Sequence, residues 1–161
     1  MDVTQPIRAT VTVRSDPDRT FKLFTAQMGK WWPLEAFSRA VSEFEHEDVG
    51  VSELVFEARL GGSILERMTD ARVLPWAEVV AWKPPQLVVL SWRPHSMPEP
   101  PTELAVTFAA REDGTSVEIE HRGWEQLSEE FRAGLYEIYE RGWPFTLGCF
   151  VAETDRGIAS P

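Results

Sequence analysis

Thr115-Ser116-Val117-Glu118-Ile119-Glu120-His121-Arg122-Gly123-Trp124 joins the two patterns that decide the fold. Through Arg122 the period is two. Val117, Ile119 and His121 share one face, and Glu118, Glu120 and Arg122 the other, which marks a strand buried on one side. Gly123 breaks the alternation, and the chain beyond it is helical. Phe131, Leu135, Ile138, Gly142, Phe145, Cys149 and Ala152 step by 4, 3, 4, 3, 4 and 3, an apolar stripe widened on one side by Tyr139, Trp143, Leu147 and Phe150. So long an apolar stripe predicts a helix that buries one face. Pro144 removes one helical hydrogen bond and crowds the preceding turn, so the helix either kinks there or is split in two.

Toward the N-terminus, Ile7, Ala9, Val11 and Val13 alternate with Arg8, Thr10 and Thr12 as a first strand. Ser15-Asp16-Pro17 offers a helix cap followed by proline in the first turn, and Phe21 and Phe24 support a short helix over about 16–25. A second helical piece ends at Trp31-Trp32-Pro33. Residues 35–50 show no period and read as loop. From about residue 52, Leu54, Phe56, Ala58 and Leu60 alternate with Glu53, Val55, Glu57 and Arg59. Gly61-Gly62 then reads as a two-residue hairpin turn, because such turns need positive φ. Further strands read as 63–68, 75–82, 86–93, 103–110 and 115–122. Arg93 to Pro101, with four prolines, is a loop.

Composition removes several functions. With 161 residues, 43% of them hydrophobic, the chain suits one domain, residues 1–161, with a packed core. A net charge of −10 repels phosphate backbones and anionic bilayers, so nucleic acid is not expected as a partner. The N-terminal residues show neither a basic patch nor an apolar run. No stretch approaches the roughly 18 apolar residues of a spanning helix. No membrane insertion and a cytoplasmic location are therefore expected. Cys149, the one cysteine, has no basic neighbour in sequence and reads as a buried thiol. His46, His95 and His121 lack zinc spacing, and no phosphate loop, dinucleotide fingerprint or nucleophile elbow is present. Neither metal nor cofactor is expected.

Trp31-Trp32-Pro33, Gly61-Gly62, Pro84-Pro85-Gln86-Leu87 running on to Trp92, and His121-Arg122-Gly123-Trp124 followed by Gly142-Trp143 fall in this order along the chain. As a set they resemble the START-like (SRPBCC) superfamily and, within it, the activator of heat shock protein 90 ATPase homologue-like family, over roughly residues 7–153. The resemblance implies an α+β helix-grip fold: a curved antiparallel sheet of about six to seven strands around a long C-terminal helix, with two short helices after the first strand. It thereby implies that the apolar stripe is buried against the sheet, with Leu135, Ile138, Phe145 and Cys149 expected against Val106, Phe108, Val117 and Ile119. It also implies a cavity between sheet and helix, since members of the superfamily bind lipids, sterols, polyketides and plant hormones. The family name adds a link to stress response and a third reading, regulation of a chaperone ATPase through a protein surface. The eukaryotic activators pair this domain with a separate N-terminal one, for which 161 residues leave no room, so a chaperone partner is not expected.

His121 is the leading polar candidate. Parity turns it inward with Val117 and Ile119, where an imidazole could anchor a ligand or act as acid–base, or could simply bond a backbone carbonyl at a strand end. A two-residue turn at Gly61-Gly62 would place Glu57 and Glu66 opposite each other. On a cavity wall one would need protonation or a cation; pointing to water, both could pair with Arg59 and Arg67. Trp31, Trp124 and Trp143 lie beside glycines or loops near the expected cavity mouth, Phe56 shares the inward face of its strand, and Tyr139 could offer a hydroxyl. The expected ligand is a small hydrophobic or amphipathic molecule. A polyketide cyclase- or aromatase-like enzyme using His121 is the alternative, although no catalytic constellation is evident and no residue is assigned as catalytic. A homodimer stays open.

Overall fold

The structure, a computed structural model, describes residues 2–159. Strands β1 (Ile7–Val13), β2 (Val51–Phe56), β3 (Ser63–Met68), β4 (Val73–Lys83), β5 (Leu87–Trp92), β6 (Thr102–Arg111) and β7 (Gly114–Arg122) form one curled antiparallel sheet in the order β1-β7-β6-β5-β4-β3-β2. The first strand thus lies beside the last, and the chain leaving β1 must travel to the opposite edge to begin β2. It does so through α1 (Pro17–Phe24), a 3-10 turn at Met28–Lys30, and α2 (Arg39–Glu43). The last helix, α3 (Glu129–Ala159), follows β7. This is the helix-grip arrangement that the family resemblance implies.

Alternation sets the core. One row of paired residues, Ile7, His121, Leu104, Leu90 and Val79, runs across five strands, and every member is buried. A second row joins Val11, Val117 and Phe108. Helix α1 begins where expected: the Asp16 side chain accepts from the Arg19 N–H at 2.9 Å, with Pro17 at the first helical position. The apolar face of α1 meets the sheet through Phe21, whose ring centroid lies 5.0 Å from those of both Trp82 and Phe108.

Three sequence expectations are corrected. The apolar stripe of α3 is rotated from the one predicted. Tyr136, Trp143, Leu147 and Phe150 are buried, whereas Ile138 and Phe145 stay 53% and 55% exposed, Ala152 is exposed, and Leu135 and Cys149 are half-buried. Apolar residues occupy two adjacent ridges of α3, and only one can face the sheet. The large rings of Trp143, Tyr136 and Phe150 remove more apolar area from water than their neighbours would. Pro144 does not split the last helix: α3 runs through it as one helix.

Residues 35–50 are not all loop, because α2 lies within them, too short to show a period of its own. Finally, β2 ends at Phe56, and Gly61-Gly62 is not a two-residue turn. Residues 57–62 form a longer loop that pairs with β4: Gly61 N–H donates to the Val79 carbonyl, and Val79 N–H to that of Gly62. A Cβ on Gly62 would sit 2.1 Å from the Glu57 carbonyl oxygen, so glycine is required there for close approach.

The rotated stripe is testable by chemical denaturation. Leu147→Ala is expected to cost about 2–5 kcal/mol, as for a cavity in a packed core, and Phe145→Ala less than about 1 kcal/mol. Equal losses would mean that α3 presents the other ridge.

Candidate functional site

Where α2 and the proline-rich segment 93–101 face α3, the core leaves an open cleft of about 250 Å³. Four indoles from four elements build its walls: Trp32 after the 3-10 turn, Trp76 on β4, Trp92 on β5 and Trp143 on α3. They pack on one another, with the Trp32 centroid 5.1 Å from Trp76, 6.0 Å from Trp92 and 6.2 Å from Trp143. Each wall N–H is already used inside the protein. Trp32 donates to the Phe37 carbonyl, Trp76 to Glu66, Trp92 to the Tyr139 hydroxyl, and Trp143 to His121 Nδ1. The wall therefore shows carbon to the cleft.

Glu66, on β3, is fully buried and has no cation in contact among the described residues. Its Oε1 accepts from the Ser38 hydroxyl at 2.6 Å and the Ala40 N–H at 3.1 Å, and its Oε2 from the Arg39 N–H at 2.7 Å and from Trp76 Nε1. One carboxylate thus fastens the start of α2, where free N–H groups are left by helix geometry, and orients one indole of the wall. The Glu57–Glu66 pairing is corrected: Glu66 lies opposite Leu54, and Glu57 instead accepts from the Ser63 N–H at 2.9 Å.

His121 stands behind the wall. It is fully buried, with Nε2 2.6 Å from Thr102 Oγ1 and Nδ1 3.1 Å from the Trp143 indole nitrogen. Because an indole nitrogen can only donate, Nδ1 is the acceptor and Nε2 carries the proton, donating to Thr102, whose hydroxyl donates on to the Trp92 carbonyl. Burial pushes the pKa down to about 3, and a proton on Nδ1 would oppose the Trp143 N–H directly. His121 is a neutral imidazole with both nitrogens engaged by protein groups.

The polar end of the cleft comes from segments that carry no period. Arg39 on α2 lines it, with Nε 2.7 Å from Glu43 Oε2 and Nη1 2.6 Å from the Pro75 carbonyl; Nη2 has no hydrogen-bond partner among the described residues. His95, in the proline-rich segment, lines it too, and its Nδ1 is buried without a partner among those residues. Its pKa is lowered, first by burial and then by the Arg93 and Arg39 guanidinia. The Tyr139 hydroxyl accepts from Trp92 at 3.0 Å; burial raises its pKa, so it stays a phenol with a proton to donate. Among the described residues no group of three His, Cys, Asp or Glu is placed to hold a metal ion, and no helix is long and apolar enough to cross a membrane.

The structure brings Trp143 and Tyr139 onto the cleft. Trp124 lines a separate void of about 10 Å³ behind Tyr139. His121 and Glu66 lie one layer back, each bonded to a wall indole. Trp31 is core, its ring 4.9 Å from Phe24 and 5.0 Å from Phe150, and Phe56 is core at the far side near Trp82. Arg39 and His95 escaped the sequence reading. A histidine inside a proline-rich loop beside the cavity mouth was the available signal for His95, and nothing local marked Arg39.

A curled seven-stranded sheet gripping one long helix beside an apolar cleft defines a START-like (SRPBCC) protein. The fold matches crystal structures of MLL2253 from Mesorhizobium loti (17% identity over 94% of this chain and 98% of that one, TM-score 0.65) and NE0264 from Nitrosomonas europaea (12%, 98% and 98%, TM-score 0.66). It also matches Txn09, an anthrahydroquino-gamma-pyrone synthase (24%, 94% and 99%, TM-score 0.60). Curated proteins give no sequence match. Residues 14–147 match the model of the activator of Hsp90 ATPase homolog 1-like proteins, and the chain belongs to that family.

Two substitutions test the layer behind the wall. Glu66→Gln puts an amide N–H₂ among four donors and is expected to destabilise by about 2–3 kcal/mol in urea denaturation; a loss below about 0.5 kcal/mol would show that the α2 fastening is unimportant. For His121, the unfolded imidazole takes a proton below about pH 6.5 while the folded one does not until near pH 3. Its contribution is therefore complete above about pH 6.5 and is lost as pH falls, by up to about 1.4 kcal/mol per pH unit. His121→Gln should flatten the stability profile over that interval, and an unchanged slope would mean that the native imidazole titrates normally.

Proposed function

We propose that the protein binds a small hydrophobic or amphipathic molecule, with an aromatic or fused-ring body, in the cleft between the indole wall and α3. The observation that carries this is the use of every wall N–H by an interior acceptor, which leaves an apolar, rigid and open recess in an otherwise packed core. Ile138, at 53% exposure, lines this recess, and Phe145, at 55%, packs on Phe37 at the rim with centroids 6.3 Å apart. These two exposed apolar side chains belong to the mouth of the cleft, where a ligand would cover them.

A second reading, a cyclase-like enzyme, is favoured by one feature: a neutral imidazole, His95, and a phenol, Tyr139, line the same cleft and could serve as base and acid. The Txn09 synthase shares the fold, which is compatible with that chemistry without assigning it.

Ala36 and Ser42 are exposed residues on the cleft rim, so tryptophan there fills space without disturbing the core. Ala36→Trp and Ser42→Trp are expected to weaken binding of the neutral fluorophore phenylnaphthylamine by about tenfold or more, with melting temperature nearly unchanged. Unaltered affinity in both variants would place the binding site elsewhere.

A further inference from the structure

Resting on the cleft as the ligand site, we propose that its ligand carries an acidic group, a carboxylate or an equivalent oxyanion, held by Arg39 and His95 at the polar end while the apolar body lies along the indoles. The wall cannot recognise such a group, because its N–H donors are already engaged. Arg39 can. Its Nε and Nη1 are fixed by Glu43 and the Pro75 carbonyl, which lock the guanidinium plane, and Nη2 is left without a partner on a side chain that lines the cleft. A guanidinium held in place this way can offer the Nη2 N–H groups to a carboxylate or a related oxyanion. The His95 ring lines the same end; its Nδ1 is buried without a partner among the described residues, as is Glu43 Oε1, so the ring meets the cleft by its other atoms.

The distribution of charge agrees. The protein is acidic overall, yet the carboxylates near this end are turned away from it. Glu66 is taken by α2 and Trp76, and Glu99 accepts from the Ser128 N–H and hydroxyl at the start of α3. Glu43 is not among the lining residues, and its Oε2 is taken by Arg39 Nε at 2.7 Å. The two guanidinia, Arg93 and Arg39, act on His95 more strongly than do Glu43 and Glu99. Among the described residues lining the cleft, Arg39 is the charged one and no carboxylate is present, inside a molecule whose net charge is −10. Such a lining favours an anionic group over a cationic one.

Two fluorophores with one ring system separate the terms: anilinonaphthalene sulfonate bears an anion and phenylnaphthylamine does not. In fluorescence titrations Arg39→Gln is expected to weaken the sulfonate dye by about tenfold and the neutral dye by less than about twofold. His95→Gln should show the same contrast at about threefold, and it provides the reading if Arg39→Gln loosens α2 enough to lower the melting temperature. Ala36→Trp, which obstructs the cleft, should weaken both dyes. If both dyes bind and Ala36→Trp displaces both, but neither polar variant discriminates between them, the acidic-ligand inference is overturned and the cleft reading stands. If neither dye binds the wild-type protein, or Ala36→Trp displaces neither, the cleft reading falls and the inference with it.

Discussion

Glu66 takes four hydrogen bonds at zero exposure, and the cleft exists because those four donors come from two different elements. Three belong to the residues that start α2 and one to an indole on β4. A buried carboxylate of this kind is neutralised by N–H and O–H dipoles rather than by a cation, so its stability depends on every donor staying in place. α2 is too short to hold itself together by its own hydrogen bonds. Fastened to the sheet through Glu66, it stands off far enough to leave a recess and presents Arg39 at the edge of it. Glu99 repeats the device at the start of α3, where it takes the Ser128 N–H and hydroxyl and thereby ties the proline-rich segment to the long helix.

Behind the indoles, His121 does a related task with a neutral ring. Its two nitrogens join Trp143 on α3 to Thr102 on β6, and Thr102 passes the connection to the Trp92 backbone. The long helix is thus keyed to the sheet at one azimuth by a directional contact, in addition to non-directional burial. That keying helps explain why the Trp143 ridge, and not the Ile138–Phe145 ridge, faces inward. Apolar area alone favours the larger rings; the hydrogen bond from the indole fixes where the largest of them sits.

The sheet was legible because period two is unambiguous when one face is buried: the strands, their order of appearance and the inward turn of His121 all follow from alternation. Glu66 shares that parity with Ile64 and Met68, both buried, which favours the inward of its two open placements; the two-residue turn misplaced only its partner, which is Leu54 and not Glu57. The azimuth of α3 was not legible, since apolar residues occupy both ridges and spacing cannot rank them. α2 was illegible for a different reason. Ser38 caps it locally by accepting from the Val41 N–H at 3.1 Å, but five residues are too few to show a period, and the carboxylate that holds them, Glu66, lies 28 residues beyond Ser38. Arg39 and His95 belong to segments whose position is set by such distant contacts.

The two kinds of segment around the cleft are held to the scaffold in different ways. The indole wall and the layer behind it are tied into the sheet and α3 through hydrogen bonds that need particular residues on both sides, so changing one member disturbs the core. The polar end is built from five residues of helix and a loop rich in proline, fastened by Glu66 and Glu99 respectively. Exchanging residues on those two segments would alter the lining of that end without touching the packed rows beneath. The parts that alternation reads well hold the recess open, and the parts it reads poorly form its polar end.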